Sequence, residues 1–167
     1  NRFGELMSES TVIRVADLDN PRDAEAILAL TEAYAQDPMG GGKGLSEHAR
    51  QQLIPALRQH PSTFTLLACQ QDDVVGAALC FLGFSSFAGA PTVNVHDLSV
   101  LPDWRGKGIG RRLLEAVAEA GRACGASKLI LEVRPDNRRA RALYRAAGFK
   151  TARLGGQPYL MMEKALK

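Results

Sequence analysis

Between Arg105 and Gly110 the chain reads Arg-Gly-Lys-Gly-Ile-Gly. Glycine has no Cβ, so successive backbone N–H groups in such a stretch can converge on one point. A helix opening there would add about half a positive charge at its amino end, and Arg105, Lys107 and Arg111 bring whole charges. That combination is a receptor for a pyrophosphate. Two common phosphate motifs do not fit. A G-x-G-x-x-G pattern needs a small residue where Arg111 or Leu113 stands, and a Walker loop needs Ser or Thr after its Gly-Lys, whereas Lys43 and Lys107 are each followed by glycine. The plainer alternative is a tight turn that only caps a helix.

Just upstream, the apolar parity of Val93 to Val100 changes: Val93 and Val95 are odd-numbered, Leu98 and Val100 even-numbered. Side chains of a regular strand alternate, so all four cannot share one face. One extra residue near His96-Asp97, a β-bulge, reconciles them; a strand buried on both faces would not need one. Histidine titrates near neutral pH, which makes His96 a candidate proton acceptor, while Asp97 could orient water or hold a cation. The bland alternative for His96 is an exposed or hydrogen-bonded sheet residue. Further on stands Asn137-Arg-Arg-Ala140-Arg-Ala-Leu143-Tyr144-Arg-Ala-Ala-Gly148-Phe149. Tyr144 follows Asn137 by about two helical turns, so both fall on one face. A phenol there can donate a proton, or serve simply as a core aromatic beside Leu143 and Ala147.

Arg-x-x-Gly-x-Gly at Arg105–Gly110 and Asn-x-x-Ala-x-x-Leu-Tyr-x-x-x-Gly-Phe at Asn137–Phe149 resemble the two signatures of the GNAT acetyltransferase superfamily. The likeness is specific over Val93 to Phe149 and loose over the whole element order. It implies acetyl-CoA as donor, no metal, and direct transfer to an amine. Arg105, Gly106, Lys107, Gly108, Ile109, Gly110 and Arg111 would hold the pyrophosphate, and the N–H groups of Leu98 and Val100 the pantetheine arm and thioester carbonyl. Asn137 would hold the arm's amide, and Tyr144 would protonate the leaving thiolate. A lysine-like amine costs about 4–5 kcal/mol to deprotonate at neutral pH, so His96 or Asp97 is the expected base, directly or through water. Acceptors in the family are met from the first two helices and the last strands, where Tyr34, Asp37, Met39–Gly44 and Tyr159 lie. There is a loose likeness to the spermidine/spermine branch, through Phe84-Ser85-Ser86-Phe87, but His96-Asp97 stands where that branch has Glu-Asp. The expected acceptor is a small primary amine; a protein or peptide amine, or a non-catalytic acyl-CoA sensor, are the alternatives.

Placing these residues requires a strand at Thr11–Val15 and a helix from an Asn20 cap, with Pro21 in its first turn and Asp23 as an acid three residues on, to Asp37-Pro38. A mobile glycine-rich segment, Met39–Gly44, follows, then a helix over Ser46–His60 interrupted or kinked at Pro55. Thr63–Gln70 and Val74–Phe84 form a hairpin around Gln71-Asp72-Asp73, with a loop over Ser85–Pro91. Then come the strand Val93–Val100, a helix Gly108–Cys124, a strand Lys128–Val133, and a helix Asn137–Ala147 closed by Gly148. Short strands near Thr151–Leu154 and Tyr159–Lys164 finish the order. The expected fold is α/β, a mixed central sheet of about six to seven strands with helices on both faces. The resemblance adds a splay between the fourth and fifth strands.

The 167 residues, 46% hydrophobic and 23% charged, have the balance of one ordinary globular domain. Residues 1–6 ahead of Met7 read as a cloning remnant, leaving 7–167 as the N-acetyltransferase domain. No apolar run approaches the ~20 residues of a membrane helix, and no secretory leader is visible. Cys69, Cys80 and Cys124 lie far apart without metal-ligand spacing and suit reduced thiols in the cytoplasm. The net charge of +3 is mild; its arginines suit a small polyanionic ligand, with nucleic acid the weaker alternative. A homodimer, common among relatives, is expected to pair through the late strands.

Overall fold

A computed structural model of the chain describes residues 11–166; the expected remnant 1–6 and start at Met7 lie outside the described residues. The chain divides into two compact units, through Leu131 and from Glu132 onward.

The first unit is an α/β layer structure around a five-stranded sheet in the order β1-β2-β3-β4-β5. These strands are β1 (Val12–Val15), β2 (Thr63–Gln70), β3 (Asp73–Ser85), β4 (Ala90–Val100) and β5 (Lys128–Ile130). The first four are antiparallel neighbours, and β5 runs parallel to β4. Helices α1 (Pro21–Gln36) and α2 (Glu47–Gln59) cover one face. There Ile27, Leu30 and Leu57 pack with Leu67, Cys69, Ala77 and Leu79. Helix α3 (Ile109–Ala123) covers the other: Leu113 and Ile109 approach Gly76, and Val93 and Leu129 approach Gly121, close enough that a Cβ at either glycine would touch them. Gly76 and Gly121 thus let α3 lie near the sheet.

Local chemistry sets the helix ends. Asn20 caps α1 through Oδ1, accepting from the Arg22 N–H at 3.0 Å. Asp23 does not return to the cap. Its carboxylate is 1% exposed and accepts from both guanidinium nitrogens of Arg14 at 2.7 Å and from the Asp17 N–H at 2.8 Å. The Arg14 guanidinium holds this carboxyl below its ordinary range. Helix α2 runs uninterrupted through Pro55. The carbonyl that loses its partner there belongs to the exposed Gln51, where water can replace the bond.

The second unit holds α4 (Arg138–Ala146) and a separate ribbon of β6 (Arg153–Leu154) and β7 (Gln157–Pro158). Among the described residues the central sheet therefore has five strands, where about six to seven were expected. Leu154 pairs with Gln157 across Gly155-Gly156, both at positive φ, so this two-residue turn folds the late strands onto each other. No strand forms over Tyr159–Lys164, and β5 stops at Ile130 rather than Val133. No helix among the described residues is long and apolar enough to cross a membrane.

Candidate active site

The pairing of β3 with β4 contains one extra residue. Leu79 pairs with Asp97 and Cys80 with Val95, so His96 has no opposite number. This is the bulge that the parity change demands, and it returns Leu98 and Val100 to the face of Val93 and Val95, toward α3. His96 and Asp97 lie on the opposite face. His96 is exposed with its ring edge-on to Phe81, centroids 5.1 Å apart, and His60 meets Phe81 in the same manner at 5.3 Å. Asp97 is half-buried, and its burial pushes the carboxyl above the ordinary range, an effect that the neighbouring His96 partly offsets.

The bulge also marks where β4 loses its second neighbour. Pairing with β5 covers only Thr92 to Asn94. Beyond it, the Leu101 N–H donates to the Val75 carbonyl at 2.9 Å. Hydrogen-bonding direction alternates along a strand, so Ser99 and Asp97 also turn their N–H groups to β3. Those of Leu98 and Val100 face away from it, along the edge that β5 leaves open. The Val100 carbonyl on this edge accepts from Arg105 Nε at 2.9 Å.

After a 3-10 turn at Pro102–Trp104, the edge leads into the glycine loop. Gly106 and Gly108 have φ of 74° and 80°, the left-handed region that glycine enters without strain. Gly108 is the N-cap of α3 and brings no side-chain oxygen to the first-turn N–H groups of Ile109, Gly110 and Arg111. Ile109 is 2% exposed, so only its backbone faces this end of the helix. The expected cations are engaged within the protein. Lys107 Nζ lies 4.5 Å from the centre of the Trp104 ring, Arg111 pairs with Glu115 at 2.9 Å, and Arg105 pairs with Asp37 at 3.3 Å. Uncapped N–H groups, left-handed glycines and an open strand edge fit the pyrophosphate and pantetheine of a coenzyme A donor.

Of the residues expected to meet the acceptor, Tyr34 lies near the end of α1, and Asp37 caps that helix. In the second unit, Asn137 caps α4, its Oδ1 accepting from the Ala140 N–H at 3.1 Å. The Tyr144 ring lies 5.8 Å from that of Phe149. The Phe149 N–H donates to the Tyr144 carbonyl and Gly148 N–H to that of Arg145, the paired bonds of a glycine-terminated helix. Tyr159 is 62% exposed. The structure thus gathers Leu98 to Arg111 on one edge, with His96 and Asp97 at the bulge that begins it. The pairings of Phe81 with His96 and with His60, and of Asp37 with Arg105, had no sequence signal, because their partners are distant in the chain. Among the described residues no group of His, Cys, Asp and Glu is placed to hold a metal.

The profile of the Acetyltransferase (GNAT) family matches residues 27–149. The chain belongs to that family. No narrower assignment follows from its individual relatives. It is similar to a thialysine N-epsilon-acetyltransferase of Bos taurus, 39% identical over 45% of this chain and 44% of the relative. It is also similar to the N-alpha-acetyltransferase RimI of Mycobacterium tuberculosis, 37% identical over 50% of this chain and 52% of the relative. The chain thus spans about half the length of these curated relatives. The fold matches the crystal structure of a ribosomal-protein-alanine N-acetyltransferase from Brucella melitensis biovar Abortus 2308, with a TM-score of 0.69 over 92% of this chain and 100% of that one, at 23% identity.

Proposed function

We propose that this chain transfers an acetyl group from acetyl-CoA directly to the primary amine of a small molecule, donor and acceptor being bound together. The observation that carries this proposal is the open edge of β4, where the N–H groups of Leu98 and Val100 turn away from β3 and lead into the uncapped start of α3. In this scheme the N–H groups from Gly106 to Arg111 hold the pyrophosphate, with Lys107 and Arg111 adding charge. The N–H groups of Leu98 and Val100 hold the pantetheine arm and polarise the thioester carbonyl. Asp97 or His96 takes the proton of the acceptor amine, directly or through water; burial has already raised the Asp97 carboxyl toward the working range of a base. Tyr144 gives a proton to the departing sulfur, and Asn137 meets the arm's amide through Nδ2, its Oδ1 being engaged in the cap.

A small amine is favoured by the thialysine enzyme's likeness, since that relative is named for acetylating an ε-nitrogen. The N-alpha-acetyltransferase relative supports a second reading, transfer to a peptide's terminal amine. Free-thiol release from acetyl-CoA, measured across polyamines, amino acids, aminoglycosides and peptides, separates the two. Acceptor-dependent release is expected to fall by about 10²-fold or more in Tyr144→Phe, with CoA affinity retained. Measurable CoA binding without release for any acceptor would sink the transferase proposal in favour of a sensor.

A further inference from the structure

Asp37 and Arg105 are 68 residues apart, and each side chain is tied into the protein by two hydrogen bonds, one of them shared. The Asp37 N–H donates to the Ala33 and Tyr34 carbonyls and closes α1. Its own carbonyl accepts from Gly40 at 2.8 Å and Gly42 at 3.1 Å. Its Oδ1 accepts from the Met39 N–H at 2.9 Å, and its Oδ2 faces Arg105 at 3.3 Å. The turn it organises is tightly fitted: a Cβ on Gly40 would overlap the Tyr34 carbonyl oxygen. Glu32 holds the far end of the turn by accepting from the Leu45 N–H at 3.2 Å. On the other side, Arg105 reaches back to the Val100 carbonyl through Nε and to Asp37 through its terminal nitrogen. One guanidinium therefore ties the end of β4, the start of the glycine loop and the α1–α2 turn together. With side chains 27% and 18% exposed, this pair is screened less than a surface pair would be.

We infer that Arg105 and Asp37 are positioning residues that link the glycine loop to the α1–α2 turn, so that filling one tightens the other. The link rests on the proposed donor site, and it changes the parts both residues would otherwise play. Arg105 holds the loop in shape and is not itself a phosphate ligand, and Asp37 holds the turn in place and does not bind the acceptor. Energetic linkage is reciprocal. Donor bound at the loop therefore slows the local opening of Gly40–Gly44, and an acceptor that does the same strengthens donor binding by the same factor.

Hydrogen exchange of the full chain tests the link without any ligand. In Arg105→Gln the amides of Gly40, Gly42 and Gly44 are expected to exchange about fivefold faster or more, although the change lies in another element. Unchanged exchange there would overturn the inference. CoA titrations followed by the fluorescence of Trp104, the only tryptophan in the chain, supply the second arm. Asp37→Asn and Arg105→Gln should each raise the Kd for CoA about fivefold or more, and the double variant should be no worse than about twofold beyond either. Asp37→Glu, which keeps the carboxylate, should recover most of the affinity. An Asp37→Asn protein that binds CoA like wild type while Arg105→Gln loses it would make Arg105 a direct phosphate ligand and overturn the link. Effects that multiply in the double variant would overturn it too. A wild-type chain that does not bind CoA would instead remove the proposed donor site, leaving the exchange result to decide the link alone.

Discussion

Deleting His96 should straighten β4 without unfolding it. Val95 already pairs with Cys80 and Asp97 with Leu79, so the ladder on either side of the deletion is in consecutive register, and every downstream side chain keeps its face. The deletion loses the edge-on contact of His96 with Phe81, worth about 0.5–1.5 kcal/mol. It regains a regular ladder bond of about 0.5–1.5 kcal/mol. The two nearly offset, so Tm should move by no more than about 2–4 °C. Donor binding should not survive as well. Removing the bulge changes the bend and local twist of the strand, which is expected to re-aim the Leu98 and Val100 N–H groups away from the proposed pantetheine arm. Two lost hydrogen bonds of about 1 kcal/mol each would raise the Kd for CoA about 10- to 30-fold. The assay pairs thermal unfolding with CoA titration, and repeats the titration with 3′-phosphoadenosine diphosphate, which lacks the pantetheine and should bind unchanged. A loss of more than about 3 kcal/mol of stability would refute the register argument. Native stability with unchanged CoA affinity would refute the role given to the bulge.

Three other perturbations probe different parts of the molecule. Asp97→Asn should raise thermal stability at neutral pH while lowering acetyl transfer. Burial raises the Asp97 carboxyl above its unfolded value, so its favourable contribution is complete at low pH and lost as pH climbs through the folded value; the variant's advantage should vanish in acid. An advantage that instead grew toward low pH would contradict this. Asp23→Ala should cost about 2–3 kcal/mol in urea unfolding, since it strips partners from Arg14 and the Asp17 N–H, with Arg14, 43% exposed, partly rescued by water. The wild-type pair, whose carboxyl is held low, should weaken as pH falls through that lowered value, whereas the variant should lack this acid dependence. Gly108→Ala should cost about 1–2 kcal/mol from the left-handed backbone alone, because a Cβ there meets nothing within 4 Å; a neutral result in thermal unfolding would show that the loop readily takes another conformation.

The sequence exposes most of what lies along single elements. The parity of Val93, Val95, Leu98 and Val100 places the bulge at about His96-Asp97, where it is found, because one buried face admits only one register. Gly148 after Leu143-Tyr144 closes α4 as expected, since helix-end chemistry is local. What the sequence hides depends on partners brought close by folding. Asp23 resembles a capping acid and is instead the buried counter-ion of Arg14 on β1. Asp37 and Arg105 resemble ligand contacts and meet each other. The glycine-rich segment after α1, expected to be mobile, carries hydrogen bonds from Gly40, Gly42 and Gly44 to Asp37 and Ala35. The short strand expected near Tyr159–Lys164 does not form, because a local stretch of sequence cannot supply the neighbour that a strand needs. Gly155-Gly156 turned the preceding residues onto each other instead.

The outward N–H groups of β4 belong to residues whose side chains point elsewhere: Leu98 and Val100 face α3 with Ala78 and Gly76. Alanine scanning would therefore pass over them, trimming packing on the α3 side while leaving the donor groups in place. A library of ordinary substitutions would map the proposed proton-handling residues and miss the backbone groups proposed to hold the donor. Amide-to-ester replacement at these two positions would reveal it, because it removes the N–H and keeps every side chain. Tolerance of varied apolar residues at 98 and 100 would then be no sign that those positions are functionally silent.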